Sequence, residues 1–157
     1  MKDNNMIEWY EDDNLAILFD HKPNTNMLTP LPSMTKKEKD YIARYPFINC
    51  TALDVRLVKK TKDVTYGFTI PKSFRWDGAT IKPIFWLLIG SKTDARFKIP
   101  SLIHDYMCNN KYIVNFDRKF SSEVFKALLL VSGVSKFKAQ IMFTAVDLFQ
   151  MTQGWGK

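Results

Sequence analysis

Cysteine and histidine are scarce in this 157-residue chain, which contains two residues of each type. Cys50 and Cys108 lie far apart, so neither a disulfide framework nor a closely spaced zinc motif is available. Two histidines, His21 and His104, are too few for a multi-histidine metal site. We therefore expect reduced thiols and a fold held together by its apolar core.

Long apolar runs and export signals are also missing. The longest apolar stretch, IFWLLIG at residues 84–90, has seven residues, whereas a membrane-spanning helix needs about 20. This stretch predicts a buried core helix, with contact at a membrane surface as the alternative. The start of the chain, MKDNNMIEWYEDDN, is acidic and polar, so we expect neither a transmembrane segment nor a secretion signal.

The composition favours one compact unit. Hydrophobic residues make up 46% of the chain and aromatic residues 14%, which is ample for a single core at this length. The net charge is +7, and the lysines are scattered instead of forming a basic arm. A solvated face explains them, although contact with nucleic acid through phosphate groups is an open alternative.

The spacing of apolar residues predicts an α+β fold. Two stretches with a period of two predict an antiparallel hairpin at about residues 52–70. Helical spacing then predicts helices at about 99–110, 121–132 and 135–151, the second capped by Ser121 and ended by Gly133. A small sheet followed by packed helices is the architecture that this order indicates.

The first 50 residues are predicted to be an N-terminal extension to the α+β domain of residues 51–157. Residues 14–19 predict a short strand, and a proline-rich stretch beginning at His21 predicts a loop or an extended arm. Thr35 is expected to cap a helix that runs through Arg44, with Glu38 completing a capping box.

Three polar residues are the candidates for chemistry. His104 and Asp105 are adjacent in a predicted helix, and Asp77 lies between the predicted sheet and the helices. If Asp77 meets His104, the carboxylate would orient the imidazole as a general base or a metal ligand. Asp117 and Arg118 are interpreted instead as a helix cap or a surface pair, and no nucleophile motif is present.

The order of these motifs resembles a family found in phage and prophage genomes, domain-of-unknown-function family 1353, over about residues 53–155. Its pattern is T-D-x-A-S, an H-D-x-L-Y helix, an R-x-x-A-D helix and a final A-x-x-x-Y-x-A-V-x-x-F helix. This chain departs from it at Trp76 and at Pro83, and it has Ser122 where the family has an acidic residue. The residues that match are Pro71, Phe74, Asp77, Ala79, Trp86, His104, Asp105, Phe125, Gly133, Ala139, Ala145, Val146 and Phe149.

The resemblance implies a viral protein with a shared polar core, located in the virion or the host cytoplasm, but it implies no activity. One hypothesis is a non-catalytic virion or assembly protein, in which the Asp/His cluster is a structural network and the N-terminal extension contacts other phage subunits. A metal-dependent hydrolase is the alternative, acting on a cell-wall or nucleotide bond. In it Asp77, His104 and Asp105 would bind a divalent metal and perform catalysis. The sequence favours the non-catalytic protein.

Overall fold

The computed structural model describes residues 5–77, 94–110 and 117–152. Antiparallel sheets are followed by packed helices, which confirms the predicted α+β class. In chain order the strands are β1 (Ile7–Glu11), β2 (Leu15–Phe19), β3 (Thr25–Met27), β4 (Phe47–Asn49), β5 (Leu53–Lys59), β6 (Val64–Ile70) and β7 (Arg75–Trp76). The helices are α1 (Lys36–Arg44), α2 (Lys98–Asn109), α3 (Arg118–Val131) and α4 (Lys136–Thr152).

The larger sheet contains the predicted hairpin. Its strand order is β1-β2-β5-β6, with every neighbouring pair antiparallel. In β5 the side chains of Leu53, Val55 and Leu57 are fully buried, as the period of two predicted. A short 3-10 turn at Lys60–Lys62 and a left-handed Asp63 connect β5 to β6.

The N-terminal residues are part of this sheet, so the interpretation of residues 1–50 as an extension or arm needs correction. β2 pairs with β5 along its whole length, from Leu15 opposite Lys59 to Phe19 opposite Val55. Ile17 and Phe19 are fully buried. The sheet therefore crosses the predicted boundary near residue 50, because β5 needs a partner on the side that β6 does not cover.

The proline-rich stretch contributes only an edge strand. β3 lies at one edge of a second, three-stranded sheet of order β3-β4-β7, a position that suits proline-flanked residues. Residues 29–33 beyond it are exposed. α1 follows with the predicted capping box, in which the Thr35 side chain accepts from the Glu38 backbone and the Glu38 side chain accepts from the Thr35 backbone.

The three later helices occupy nearly the predicted ranges, but one predicted cap is wrong. Asp117, and not Ser121, caps α3, because its carboxylate accepts from the backbone N–H of Phe120 at 2.6 Å. The Ser121 hydroxyl lies inside the helix and donates to the carbonyl of Arg118. Gly133 has a φ of +96° and ends the helix, as predicted.

Several sequence predictions lie outside the described residues, including the apolar stretch 84–90 with its Trp86 and the residues that follow Asp77. Within the described ranges, none of the helices combines the length and apolar character needed to cross a bilayer. One apolar cluster joins the larger sheet to α2 and α3, and a second fills the space between α3 and α4.

Replacing a buried residue of β2 tests whether the N-terminal strand is structural. Ile17→Ala is expected to lower the free energy of unfolding by about 2–5 kcal/mol, because it leaves a cavity against β5. Leu31→Ala, in the exposed proline-rich stretch, is the matched control and should change it by less than about 0.5 kcal/mol. Chemical denaturation of both variants measures the difference. Equal, small effects would show that β2 is dispensable.

Candidate functional site: a polar cluster between the sheet and the helices

A buried hydrogen bond attaches the end of the second sheet to the first turns of α2. The indole N–H of Trp76 donates to the hydroxyl of Ser101 at 2.9 Å. The Ser101 hydroxyl in turn donates to the Lys98 carbonyl at 3.1 Å. Both side chains are buried. Because Asp77 follows Trp76 and Asp105 lies one helical turn after Ser101, this bond brings the two carboxyl groups to the same place.

Asp77 and Asp105 form a carboxyl pair. Burial raises the pKa of Asp105 well above its usual range, and both the charge of Asp77 and a hydrogen bond to Asp77 act in the same direction. These effects favour the protonated form of Asp105, since a buried negative charge beside a second carboxyl group is disfavoured. The structure therefore brings together the two acids that the sequence singled out.

The imidazole of His104 is adjacent to this pair but is directed elsewhere. Its Nδ1 lies 4.0 Å from Oδ1 of Asp105, which is beyond hydrogen-bonding distance. Its Nε2 lies 2.9 Å from Nε2 of Gln150 in α4. An amide N–H donates, so the ring nitrogen accepts and the ring is neutral with its proton on Nδ1. The ring also packs against Phe125, with centroids 5.0 Å apart.

Gln150 directs the N–H groups of its amide to α2 and its carbonyl toward α3. Besides His104, its Nε2 lies 2.8 Å from Sγ of Cys108, one turn after His104 in α2. Its Oε1 lies 3.2 Å from the hydroxyl of Ser122 in α3, which lies at the same distance from Asp147 and has one proton to share between these two acceptors. One side chain from α4 therefore bonds to both α2 and α3. Gln150 and Ser122 are both buried.

Ser122, where the resemblance implies an acidic residue, has a carboxylate beside it. Its hydroxyl lies 3.2 Å from Oδ1 of Asp147 in α4. Asp147 forms an ion pair with Arg118 at the start of α3. A negative charge is thus present near this position, although it comes from the neighbouring helix.

Burial determines the ionisation of His104. It lowers the pKa of the imidazole from 6.5 to about 4, against a smaller opposite effect of the hydrogen bond to Gln150. At neutral pH the ring is therefore uncharged and its basicity is weak. Oriented as described, His104 serves as a hydrogen-bond acceptor for Gln150, and its Nε2 lone pair is occupied.

The chemistry open to the cluster depends on the carboxyl pair. Among residues 5–77, 94–110 and 117–152, no group of three or more His, Cys, Asp or Glu side chains is arranged to hold a metal ion. Asp77 and Asp105 could supply two carboxylate ligands, and His104 could supply a third only if its ring turned away from Gln150.

Three members of the cluster were not predicted from the sequence: Gln150, Cys108 and Asp147. Cys108 lies four residues after His104, which places both on one face of α2, and this spacing is a signal that could have been used. Of the other candidates, Asp117 caps α3, and its Oδ2 lies 3.3 Å from Nζ of Lys59. Both roles agree with the interpretation of Asp117 as a helix cap or a surface pair. His21 lies in a separate loop, 2.8 Å from the carbonyls of Lys22 and Ala52.

Comparison with known proteins adds a family but no activity. The family model described as "Protein of unknown function (DUF1353)" matches residues 52–146. The chain is similar to two proteins of Sinorhizobium fredii (strain NBRC 101917 / NGR234). "Uncharacterized protein y4jT" is 34% identical over 80 residues, which are 51% of this chain and 23% of that protein. "Uncharacterized protein y4iH" is 30% identical over 89 residues, 57% of this chain and 36% of that protein.

This chain therefore spans about a quarter and about a third of the lengths of these two relatives. No solved structure matches it significantly. The matched region contains Asp77, His104, Asp105 and Ser122 but ends before Asp147 and Gln150.

The pKa of His104 predicts how stability depends on pH. The unfolded chain binds the proton near pH 6.5 and the folded chain only near pH 4. The contribution of neutral His104 is therefore complete above pH 6.5 and is lost as the pH falls toward 4, by about 3 kcal/mol. The raised pKa of Asp105 changes the stability with pH in the opposite direction. The effect of His104 is therefore isolated by comparing the wild type with His104→Phe in denaturant titrations from pH 4 to 7.

The difference in unfolding free energy between wild type and His104→Phe should shrink as the pH falls. His21→Asn is the control, because hydrogen bonds to the Ala52 and Lys22 carbonyls raise the pKa of His21. Its contribution is complete below pH 6.5 and is lost as the pH rises through the raised value. His21→Asn should therefore retain the acid dependence of the wild type between pH 4 and 6. A pH-independent difference for His104→Phe would contradict a buried neutral imidazole.

Proposed function

The chain belongs to the family of proteins of unknown function DUF1353, and from this premise we propose that it is a phage-encoded, non-catalytic virion or assembly protein. Its Asp77, His104 and Asp105 cluster would then serve as a structural polar network. The phage setting rests on the sequence resemblance. The non-catalytic role rests on the hydrogen bonds of Gln150.

The contacts of the Gln150 amide N–H groups with His104 and Cys108 are the observation that carries this proposal. The Gln150 donors are directed to His104 and Cys108 and its acceptor to Ser122, so it connects three helices at one point. Each buried polar group left without a partner would cost about 1–3 kcal/mol. A catalytic imidazole needs a free lone pair or a pKa near neutrality, and His104 has neither in this arrangement.

Contacts with other phage structural subunits are the second part of the proposal. Strands β1 and β2 are paired in the larger sheet and are not free to act as an arm. The exposed residues 29–33 of the proline-rich stretch are the part of the N-terminal region that would reach a neighbour. Leu31 is 54% exposed, and prolines on both sides reduce the entropy lost when such a segment binds.

A metal-dependent hydrolase acting on a cell-wall or nucleotide bond is the second candidate, and the carboxyl pair favours it. Asp77 is hydrogen-bonded to Asp105, and a divalent cation between the two carboxyl groups could replace the proton that burial favours on Asp105. Loss of the hydrogen bond to Gln150 would then free His104 as a third ligand or as a base. The side chain of Asp105 is 17% exposed, so access to solvent is partial.

His104→Ala separates the two candidates. The network predicts a large fall in melting temperature, because Gln150 loses its acceptor and a cavity forms against Phe125. The hydrolase predicts, in addition, that the wild type takes up a divalent metal and that His104→Ala loses this uptake. Calorimetry and metal titration of the same preparations provide both measurements.

Asp105→Asn is the matched variant at the carboxyl pair. It preserves the side-chain shape and a hydrogen bond to Asp77 while removing a charge that burial already disfavours. A structural network predicts that the melting temperature holds or rises slightly, and that the wild type takes up no Mn²⁺ or Zn²⁺. Stoichiometric metal binding by the wild type that Asp105→Asn abolishes would overturn the non-catalytic proposal.

Mass spectrometry of particles purified from the phage that encodes the chain tests the virion and assembly role. We expect the protein at a fixed copy number in mature virions or in isolated assembly intermediates. Its absence from both, with the protein present in the infected cell, would contradict this part of the proposal.

A further inference from the structure

Two of the connections between the sheets meet at His21. The first connection runs from β2 in the larger sheet to β3 in the second sheet and contains His21. The second runs from β4 back to β5 and contains Ala52. The ring joins them, because its Nδ1 lies 2.8 Å from the carbonyl oxygen of Lys22 and its Nε2 lies 2.8 Å from the carbonyl oxygen of Ala52.

Both partners of the ring are carbonyl oxygens, which can only accept, and this decides the charge of His21. A neutral imidazole has one N–H group, so one ring nitrogen would direct a lone pair at a carbonyl oxygen 2.8 Å away. An imidazolium donates from both nitrogens and satisfies both carbonyls. The geometry therefore fits a charged ring, in contrast to the neutral ring of His104.

The charged groups around the ring favour the same form. Oδ1 of Asp20 lies 3.6 Å from Nε2 of His21, and the charge of Asp54 in β5 acts in the same direction. Lys22 is exposed, and the free thiol of Cys50 belongs to the second connection. The bonds to the two carbonyls are the largest effect and, with the two carboxylates, they outweigh desolvation and raise the pKa of His21 above 6.5.

We propose that His21 is a pH-sensitive clamp between the two sheets, closed while the ring carries both protons and released when it loses one. Loss of either proton leaves one carbonyl without its donor and removes the positive charge beside Asp20. On the β3 side of His21, two contacts then remain between the connections. The Cys50 backbone N–H donates to the Asn24 carbonyl at 2.8 Å, and the Asn24 amide donates to the Thr51 hydroxyl at 3.4 Å.

Release of the clamp would act on β3, which lies at the edge of the second sheet. β3 has three residues, and in the described part of the chain it pairs with β4 alone. A short edge strand held on one side is among the first parts of a sheet to open. β3 leads to the exposed residues 29–33, so the clamp would control how firmly the base of that stretch is held. This inference does not depend on the role of Asp77, His104 and Asp105.

Nitrogen-15 NMR of the His21 ring and hydrogen exchange of the Cys50 backbone amide test the clamp in the full chain. Because the pKa is raised in the folded protein, the clamp is closed below about pH 6.5 and opens as the pH rises through the raised value. In the closed state we expect protons on both ring nitrogens. In the open state the protection factor of the Cys50 amide, which corrects for the intrinsic pH dependence of exchange, should be about 2- to 10-fold lower, the effect of losing one hydrogen bond.

Three variants separate the ring from its surroundings. His21→Asn should give low protection at residue 50 that no longer changes across this pH range. Asp20→Asn should shift the transition to lower pH, because it removes a negative charge but keeps an oxygen that accepts from the Asp54 backbone N–H. Cys50→Ser removes a thiol, a group that can lose its proton in mildly alkaline solution, and should behave as the wild type.

A His21 ring that titrates at or below 6.5 would overturn the proposal, and so would pH-dependent protection at residue 50 that survives in His21→Asn. Equal protection above and below the titration of the ring would also contradict it, since the ring would then change its charge without releasing the connection.

Discussion

A buried primary amide has to place two N–H donors and one carbonyl acceptor, and this constraint organises the junction between the sheet and the helices. Gln150 meets it with His104 and Cys108 on one helix and Ser122 on another. These contacts also constrain the side chains of His104 and Ser122. His104 is held neutral with its proton on Nδ1, and Ser122 is held beside the Asp147–Arg118 ion pair. These contacts favour this packing of the helices, since a shift of one helix along another would leave buried polar groups without partners.

The second constraint acts from the other side of the junction. The Trp76–Ser101 hydrogen bond attaches the short strand β7 to α2. This attachment holds Asp77 close to Asp105. The carboxyl group of Asp105 lies next to the Gln150 network, with its Oδ1 4.0 Å from Nδ1 of His104. This separation supports the proposed structural role, because a proton relay needs continuous hydrogen bonds.

Patterns that depend on neighbouring residues were predictable from the sequence, and contacts between distant residues were not. The hairpin and the capping box of Thr35 and Glu38 are local, and both were predicted correctly. The pairing of Leu15–Phe19 with β5 joins residues about 40 positions apart, and no local signal distinguishes an added strand from a free arm. Gln150 was missed because it is one of several polar residues in α4, and its position in the sequence does not indicate a partner on another helix. Ser121 and Asp117 are both good caps, and three-dimensional packing decides between them.

The protonation state of His104 tests the account most directly, because the structural role of the cluster depends on a ring whose Nε2 only accepts. Nitrogen-15 NMR of the imidazole in the folded protein, followed from pH 7 to pH 4, reports both the tautomer and the pKa. The account predicts the Nδ1–H tautomer at pH 7 and protonation only near pH 4. A ring that carries its proton on Nε2, or that titrates at 6.5 or above, would contradict the hydrogen bond from Gln150 and the non-catalytic role built on it.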